Sequence, residues 1–308
     1  MGILRSLNLL PVGLAAAVLF NANVKASEFP TLDSSIDRGL QQAMHKSLQR
    51  LRLDHAVAEK RLAVSLVDIT DPHRPRMAEV NGNVMLYAAS LPKIAILLGA
   101  LQKAHEGLLT LDTGLRARLV KMIRHSSNVD ATAVLSTVGE EYLAGLLQSD
   151  GYRFYKPYRG GLWVGKAYGK APAWKRDPLF NISHGASSRE VSRFYYMLAT
   201  NRLVSPQSCA IMKEILSKPA ISHKFVSGLR GVHPGARIYR KSGTWRTYHS
   251  DSAIIERDGK QYIVVALAND PNGSRWLERL VVEMDKIIFA NEPSSRVAQA
   301  GQTERLLH

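Results

Sequence analysis

The sequence has a single cysteine, Cys209, in 308 residues, and this scarcity excludes an intramolecular disulfide. Its N-terminal apolar stretch, Leu7 to Phe20, is shorter than the roughly 20 residues that span a bilayer, and Pro11 interrupts it. The chain also lacks internal repeats and low-complexity linkers, and its ten histidines show no HExxH-type spacing. We therefore expect no metal or other cofactor, and we expect Cys209 to pack on a helix as a small apolar residue.

The first residues are typical of a secretory signal peptide. MGILRS supplies one positive charge, LNLLPVGLAAAVLF is a short apolar stretch, and NVKAS offers a small-residue cleavage site after Ala26. We predict a signal peptide over residues 1–26 and a mature protein that is periplasmic or secreted. An uncleaved membrane anchor is the alternative interpretation.

Acidic residues are few relative to basic ones. The formal net charge is +15, and loss of residues 1–26 would remove Arg5 and Lys25 and leave +13. Such a charge favours a polyanionic partner, although a protein that is simply cationic is an equal alternative. Export argues against nucleic acid and leaves acidic lipid or an anionic cell-wall polymer. We expect a monomer with no nucleic-acid partner.

The hydrophobic pattern predicts an α+β fold whose antiparallel sheet of about five strands is built from both ends of the chain. It predicts a long amphipathic helix over 32–60, strands at 62–70, 76–80, 236–243, 250–256 and 261–268, and a closing helix at 274–290. We divide the folded chain, 27–290, into a sheet lobe (32–85 and 221–290) and an inserted helical lobe (86–220), with the active site between the lobes. Residues 291–308 are predicted to be a flexible tail.

One lysine stands at the start of an apolar run. In SLPKIAILLGAL, Lys93 occupies a position where burial of an ammonium group is costly unless something compensates it. If a helix begins at Ser90, Pro92 lies in its first turn, and Ser90 and Lys93 share one face. Burial and the helix dipole both disfavour the charged amine, so Lys93 is a candidate base for the Ser90 hydroxyl. For this motif alone, a helix cap followed by a snorkelling lysine is the favoured interpretation.

Two later segments supply partners for this pair. SSN at 126–128 stands at the edge of a helical pattern, and KSGT at 241–244 ends a strand. In this order the three segments match S-x-x-K, S-x-N and K-[ST]-G. On these motifs the chain resembles the serine β-lactamase and penicillin-binding protein superfamily over roughly residues 32–290, and its layout is most similar to class A β-lactamases.

The resemblance implies acyl transfer through a covalent serine intermediate. Ser90 would be the acylated nucleophile and Lys93 the group that helps to deprotonate it. Ser126 would relay a proton to the leaving amine, and Lys241 would tune Ser126 electrostatically. The backbone N–H groups of Ser90 and Thr244 would form the oxyanion hole.

The remaining motif residues would bind substrate. Asn128 would hold the substrate amide, and Gly243 would let the substrate approach the strand. Ser242, Thr244 and Arg246 are candidates for binding a substrate carboxylate. The substrate would be a β-lactam or a D-amino-acid peptide bond of peptidoglycan, and a protein that acylates without turnover is a third alternative.

The loop after the S-x-N helix departs from the class A pattern. Class A enzymes carry a glutamate there that positions the deacylating water, whereas this chain has no carboxylate between Asp150 and Asp177. Asp177 or Glu190 could substitute only if the loop folds differently. The segment is instead basic and interleaved with aromatic residues. Its cations are Arg153, Lys156, Arg159, Lys166, Lys170, Lys175 and Arg176.

This departure leaves acylation intact and puts fast deacylation in doubt, and the interval from Ser90 to Ser126 is also shorter than in typical class A enzymes. The basic loop at 153–176 is a candidate site for an anionic cell-wall polymer or an extended anionic ligand. A long surface loop solvated by its charges is the alternative.

Overall fold

The computed structural model describes residues 29–290 together with Gly2, so the predicted flexible tail and all but one residue of the predicted signal peptide lie outside it. The helices are α1 Arg38–Arg50, α2 Asp54–Ala58, α3 Lys93–His105, α4 Thr113–Arg124, α5 Asn128–Val138, α6 Glu140–Gln148, α7 Ser188–Ala199, α8 Pro206–Leu216, α9 Phe225–Arg230 and α10 Gly273–Ala290. The strands are β1 Leu62–Asp68, β2 Arg76–Val80, β3 Leu86–Tyr87, β4 Tyr155–Lys156, β5 Gly160–Gly161, β6 Trp163–Val164, β7 His184–Ala186, β8 Arg237–Trp245, β9 Tyr248–Arg257 and β10 Lys260–Asn269.

The main sheet has five strands in the order β2-β1-β10-β9-β8, all antiparallel, as the sequence predicts. β9 and β10 are joined at Asp258 and Gly259, which both have positive φ, as the two central residues of a type I′ hairpin turn require. β1 is buried along its whole length because both faces of the sheet are covered. Its residues Leu62, Val64 and Leu66 belong to the core beneath the terminal helices, whereas Val67 belongs to the second core.

Helices cover both faces of this sheet. α1, α9 and α10 pack together on one side, and α7 packs on the other against β1, β9 and β10. α3 is central in the helical part, and its residues from Ile94 to Leu98 are all 0% exposed, as its all-apolar sequence predicts. Cys209 is buried on α8. No helix in the described part of the chain is both long enough and apolar enough to span a bilayer.

The prediction of one long helix over 32–60 is wrong. The segment begins with a 3₁₀ turn at Leu32–Ser34, and α1 starts only after Asp37, whose side chain accepts a hydrogen bond from the backbone N–H of Leu40 at 2.7 Å. α1 ends where Arg52 adopts a left-handed conformation with φ 58° and Leu53 N–H donates to the Leu48 carbonyl. This is a helix C-cap built without the usual glycine, so the sequence does not signal it.

The helix that carries Lys93 also starts later than Ser90. The backbone N–H of Lys93 donates to the Ser90 carbonyl at 3.3 Å, an i to i+3 bond typical of a 3₁₀ turn, and α3 begins at Lys93. Ala89, just before the turn, has φ 51°, a conformation that costs energy for a residue with a Cβ atom. Although the helix starts later than predicted, this turn still places the Ser90 hydroxyl beside the Lys93 amine.

The middle of the chain is less helical than predicted. Short strands interrupt it, pairing as β3-β7-β6 and β4-β5, and they brace the segment 150–185. This bracing brings the C-terminal half of the basic loop alongside β3 and the residues that lead to Ser90.

Candidate active site

Lys93 lies at the centre of the three motifs. Its side chain is completely buried, and its Nζ lies 3.1 Å from the Ser90 Oγ, 2.6 Å from the carbonyl oxygen of Ser126 and 2.8 Å from the Asn128 Oδ1. The Tyr168 ring covers the amine, with its centroid 4.5 Å from Nζ. The structure therefore brings S-x-x-K and S-x-N together around one amine.

Burial lowers the pKa of Lys93 from 10.5 to about 7. At neutral pH a large fraction of the amine is therefore neutral and carries two hydrogens and one lone pair. The Ser126 and Asn128 carbonyl oxygens can only accept, so they take the two hydrogens. The lone pair is left to accept from the Ser90 hydroxyl, which is the geometry of a general base.

The two adjacent serines of the SSN motif have different tasks. Ser127 is the N-cap of α5, because its hydroxyl accepts from the backbone N–H of Asp130 at 3.2 Å and donates to the Asp130 carboxylate. Ser126, one residue earlier, has φ 56° and projects into the site instead. Asn128 is the first residue of the helix, and its amide is held by Lys93.

Lys241 completes the cluster from the sheet side. Its Nζ donates to the Ser126 Oγ at 2.9 Å and to the carbonyl of Ser242 at 2.6 Å. Burial, followed by the positive charges of Lys93 and Arg240, lowers the pKa of Lys241 well below its usual range. Ser126 Oγ is thereby shared between two amines, since it also lies 3.5 Å from Lys93 Nζ.

Gly243 lets the strand come close to the nucleophile. A Cβ atom at this position would lie 2.2 Å from the Ala88 carbonyl oxygen and 2.7 Å from the Ser90 nitrogen, so only glycine fits. The sequence predicts a glycine here because substrate must come close to the strand. The structure gives a second reason, because the chain's own backbone at Ala88 and Ser90 lies against this position. The Ser90 N–H makes no hydrogen bond to any described residue, which leaves it available to an oxyanion.

A cleft of about 770 Å³ opens beside Ser90, between the segment 166–184 and the β8–β9 hairpin. Ser90, Asn128 and Thr244 line it. Three predicted binding residues, Ser242, Gly243 and Arg246, lie outside its lining, and Gly243 is the buried glycine described above. Ser242 is buried and presents its carbonyl to Lys241, whereas Arg246 is exposed and stacks its guanidinium 4.4 Å from the Trp245 ring centroid.

The segment 150–185 brings no carboxylate to this cleft: no Asp or Glu is among the described residues that line it. Asp177 is buried elsewhere, accepting from the Tyr155 hydroxyl and the Phe180 N–H. Glu190 is completely buried and forms ion pairs with Lys156 and Arg193. Within residues 29–290, no group of three His, Cys, Asp or Glu side chains is placed to hold a metal ion.

Lys224 is a residue that the sequence pattern does not reveal. Its buried Nζ donates to the Gly243 carbonyl at 2.6 Å, to Thr244 Oγ1 at 2.8 Å and to the Ser250 carbonyl at 3.1 Å. Burial lowers its pKa to about 8. Because Thr244 Oγ1 accepts from Lys224, its own hydrogen points elsewhere and can be donated to a substrate in the cleft.

Asp251, which is 0% exposed, balances the positive charges of three buried side chains, Lys224, Arg240 and Lys241. Its carboxylate accepts two hydrogen bonds from the Arg240 guanidinium, both 2.7 Å, and a third from the Phe225 N–H. Burial lowers the pKa values of Lys224 and Lys241, and the negative charge of Asp251 partly opposes this lowering. Asp251 is therefore the counter-ion that allows three basic side chains to lie together behind the site.

A protein-family model matches the part of the chain that carries two of the three motifs. The model of the Beta-lactamase enzyme family matches residues 114–290, more than half of the chain; this range includes the motifs at 126–128 and 241–244 and begins after Ser90 and Lys93. No curated protein matches the sequence.

Several solved structures are similar in fold. PBP-A is 18% identical with a TM-score of 0.63, over 86% of this chain and 100% of that one. A β-lactamase from Chitinophaga pinensis is 16% identical with a TM-score of 0.59, over 78% and 98% of the two chains. A β-lactamase from Sphaerobacter thermophilus is 16% identical with a TM-score of 0.60, over 83% and 98%. The chain belongs to the Beta-lactamase enzyme family and is a β-lactamase-type hydrolase, with the fold shared by PBP-A and these β-lactamases.

Proposed function

We propose that the protein cleaves β-lactams or related amides through an acyl-Ser90 intermediate that breaks slowly. The observation that carries the proposal is the placement of the Lys93 amine, 3.1 Å from Ser90 Oγ, with its two other hydrogen-bonding directions taken by carbonyl oxygens. The Ser90 proton passes to Lys93 as Oγ attacks the amide carbonyl carbon, and the ester bond to Ser90 forms.

Ser126 supports the second half of acylation. As the amide C–N bond breaks, the leaving nitrogen needs a proton, and the Ser126 hydroxyl is hydrogen-bonded to Lys241 at 2.9 Å. Ser126 donates its proton to the leaving nitrogen and is then reprotonated by a neighbouring amine, Lys241 or Lys93. The free N–H of Ser90, together with the N–H of Thr244, stabilises the oxyanion during this step.

Slow breakdown of the acyl-enzyme follows from the walls of the cleft. A deacylating water needs a base, and no carboxylate among the described residues lines the cleft. Asp177 and Glu190 are held by partners outside it. In the same fold, a mutant of PBP-A that is 18% identical to this chain, with a TM-score of 0.61, forms an acyl-enzyme complex with penicillin G.

Intact-mass spectrometry after addition of benzylpenicillin tests the proposal. We expect an adduct of one penicillin per chain that persists for many minutes in the wild type and is absent in Ser90→Ala. Ser127→Ala is the matched control, because Ser127 caps a helix and should leave the adduct unchanged. A transient adduct with accumulating penicilloate would instead indicate efficient β-lactam hydrolysis. No adduct on folded protein would refute recognition of penicillin.

The lack of a deacylating carboxylate also supports a second candidate, a D,D-carboxypeptidase or transpeptidase acting on peptidoglycan peptides. Such an enzyme would release acyl-Ser90 to water or to an amine when a peptide, rather than a β-lactam, is the acyl donor. Release of D-alanine from a D-alanyl-D-alanine peptide would distinguish it. We further propose export to the periplasm, supported by the signal-like sequence at residues 1–26.

A further inference from the structure

The cleft extends away from the catalytic amines. Ser90 lines it, whereas Ser126 and Lys241 do not. Since Ser126 serves the leaving nitrogen in the proposed reaction, the leaving group lies on the Ser126 side of Ser90. The acyl part of the substrate therefore occupies the open cleft, and the walls of that cleft select the acyl group.

One wall of this region is aromatic. The Tyr87 ring lies 5.2 Å from the Trp245 ring and 5.4 Å from the Tyr248 ring, centroid to centroid. Trp245 is 46% exposed, so it offers an accessible flat apolar surface. A planar or apolar portion of the acyl group can pack on this cluster.

A second part of the cleft lining is cationic. Lys166 and Arg176 line the cleft, and neither forms an ion pair with any described carboxylate. A guanidinium N–H of Arg176 donates to the Asn181 carbonyl at 3.2 Å, which orients the group without neutralising it. Other cations of the basic loop are engaged elsewhere, since Arg153 pairs with Asp150 and Lys156 with Glu190.

We propose that this end of the cleft is a subsite for an acyl group that carries a carboxylate, bound by Arg176 and Lys166 beside the aromatic cluster. The proposal rests on the acyl-Ser90 chemistry for its direction along the cleft. Two unpaired cations in a partly enclosed cleft favour an anion, and a guanidinium binds a carboxylate through two parallel hydrogen bonds. The basic loop thus contributes to substrate selection through two of its seven cations.

Benzylpenicillin and carbenicillin provide a matched pair of probes, because they differ by one carboxylate on the acyl side chain. We expect carbenicillin to acylate the wild-type protein about tenfold faster than benzylpenicillin, the effect of one charge-assisted contact. The ratio should fall towards one in Lys166→Gln/Arg176→Gln and stay unchanged in Lys175→Gln. Lys175 is adjacent and exposed but lies outside the cleft lining, so it controls for the overall charge.

Binding to Ser90→Ala separates this subsite from the chemistry. Isothermal titration calorimetry should show tighter non-covalent binding of carbenicillin than of benzylpenicillin, and raised salt should narrow the difference. If the wild type is not acylated but Ser90→Ala keeps this preference, the proposed reaction fails and the subsite stands. Equal affinities, or no binding of either probe, would overturn the subsite.

Discussion

Replacing Lys93 with methionine removes a titratable amine from the core and keeps an unbranched side chain. The pKa of Lys93 is lowered from 10.5 to about 7 by burial, so the unfolded chain holds this proton more tightly than the folded one. Below pH 7 this difference disfavours the folded state by about 5 kcal/mol. Between pH 7 and 10.5 the unfolded state binds the extra proton, so the wild type gains about 1.4 kcal/mol of stability per pH unit from this group.

The variant loses hydrogen bonds as well as the charge. The Ser126 carbonyl and the Asn128 Oδ1 each lose a donor, at a cost of about 1–3 kcal/mol apiece. The two effects nearly cancel at pH 7, so we expect Lys93→Met to be folded there with a stability close to that of the wild type. Acylation by benzylpenicillin should be abolished, because nothing else accepts the Ser90 proton.

Urea unfolding of wild type and Lys93→Met at pH 7 and pH 9 tests this. The quantity measured is the change in free energy of unfolding with pH in the wild type, minus the same change in the variant. From pH 7 to pH 9 the free energy of unfolding of the wild type should rise by about 2 kcal/mol relative to the variant, because the folded amine is already half deprotonated at pH 7. Lys103→Met, near the end of the same helix, should leave acylation intact and serves as the control. Parallel pH dependence of wild type and variant would refute the lowered pKa, and surviving acylation in Lys93→Met would refute its role as the base.

Three further outcomes are expected. The acylation rate of the wild type should rise about tenfold between pH 6 and pH 8, with a midpoint near the Lys93 pKa of about 7, and a flat stopped-flow profile would contradict this. Ser126→Ala should slow acylation about 10²–10⁴-fold, whereas Ser127→Ala should cost only about 1 kcal/mol of stability through the lost helix cap; equal rates in the two variants would assign the wrong serine. Asp251→Asn should lower the free energy of unfolding by about 3–5 kcal/mol, since it leaves the buried Arg240 charge without its ion-pair partner; unchanged thermal and urea unfolding would show that Asp251 is not the counter-ion.

Most of the sheet and the pairing of the three motifs could be predicted from the sequence. Alternating or continuous apolar residues and a two-residue turn predict the strands. These signals are recognisable in the sequence because they depend only on neighbouring positions. The relation of Ser90 to Lys93 is equally local, because one turn separates them. Local patterns failed where a helix ends without glycine, as at Arg52. There the helix is closed by the hydrogen bond from the Leu53 N–H to the Leu48 carbonyl and by burial of the Leu53 side chain.

The sequence by itself determined that a buried amine follows a serine, that two further motifs supply its partners, and that the loop after them lacks a carboxylate up to Asp177. Only the tertiary structure decided where Asp177 and Glu190 go, because each is satisfied by partners distant in the chain. It alone also placed Lys224 under the end of β8 and selected Lys166 and Arg176 from the basic loop for the cleft. The reason is that hydrogen bonds and ion pairs depend on distance in space, which the order of residues along a chain does not specify.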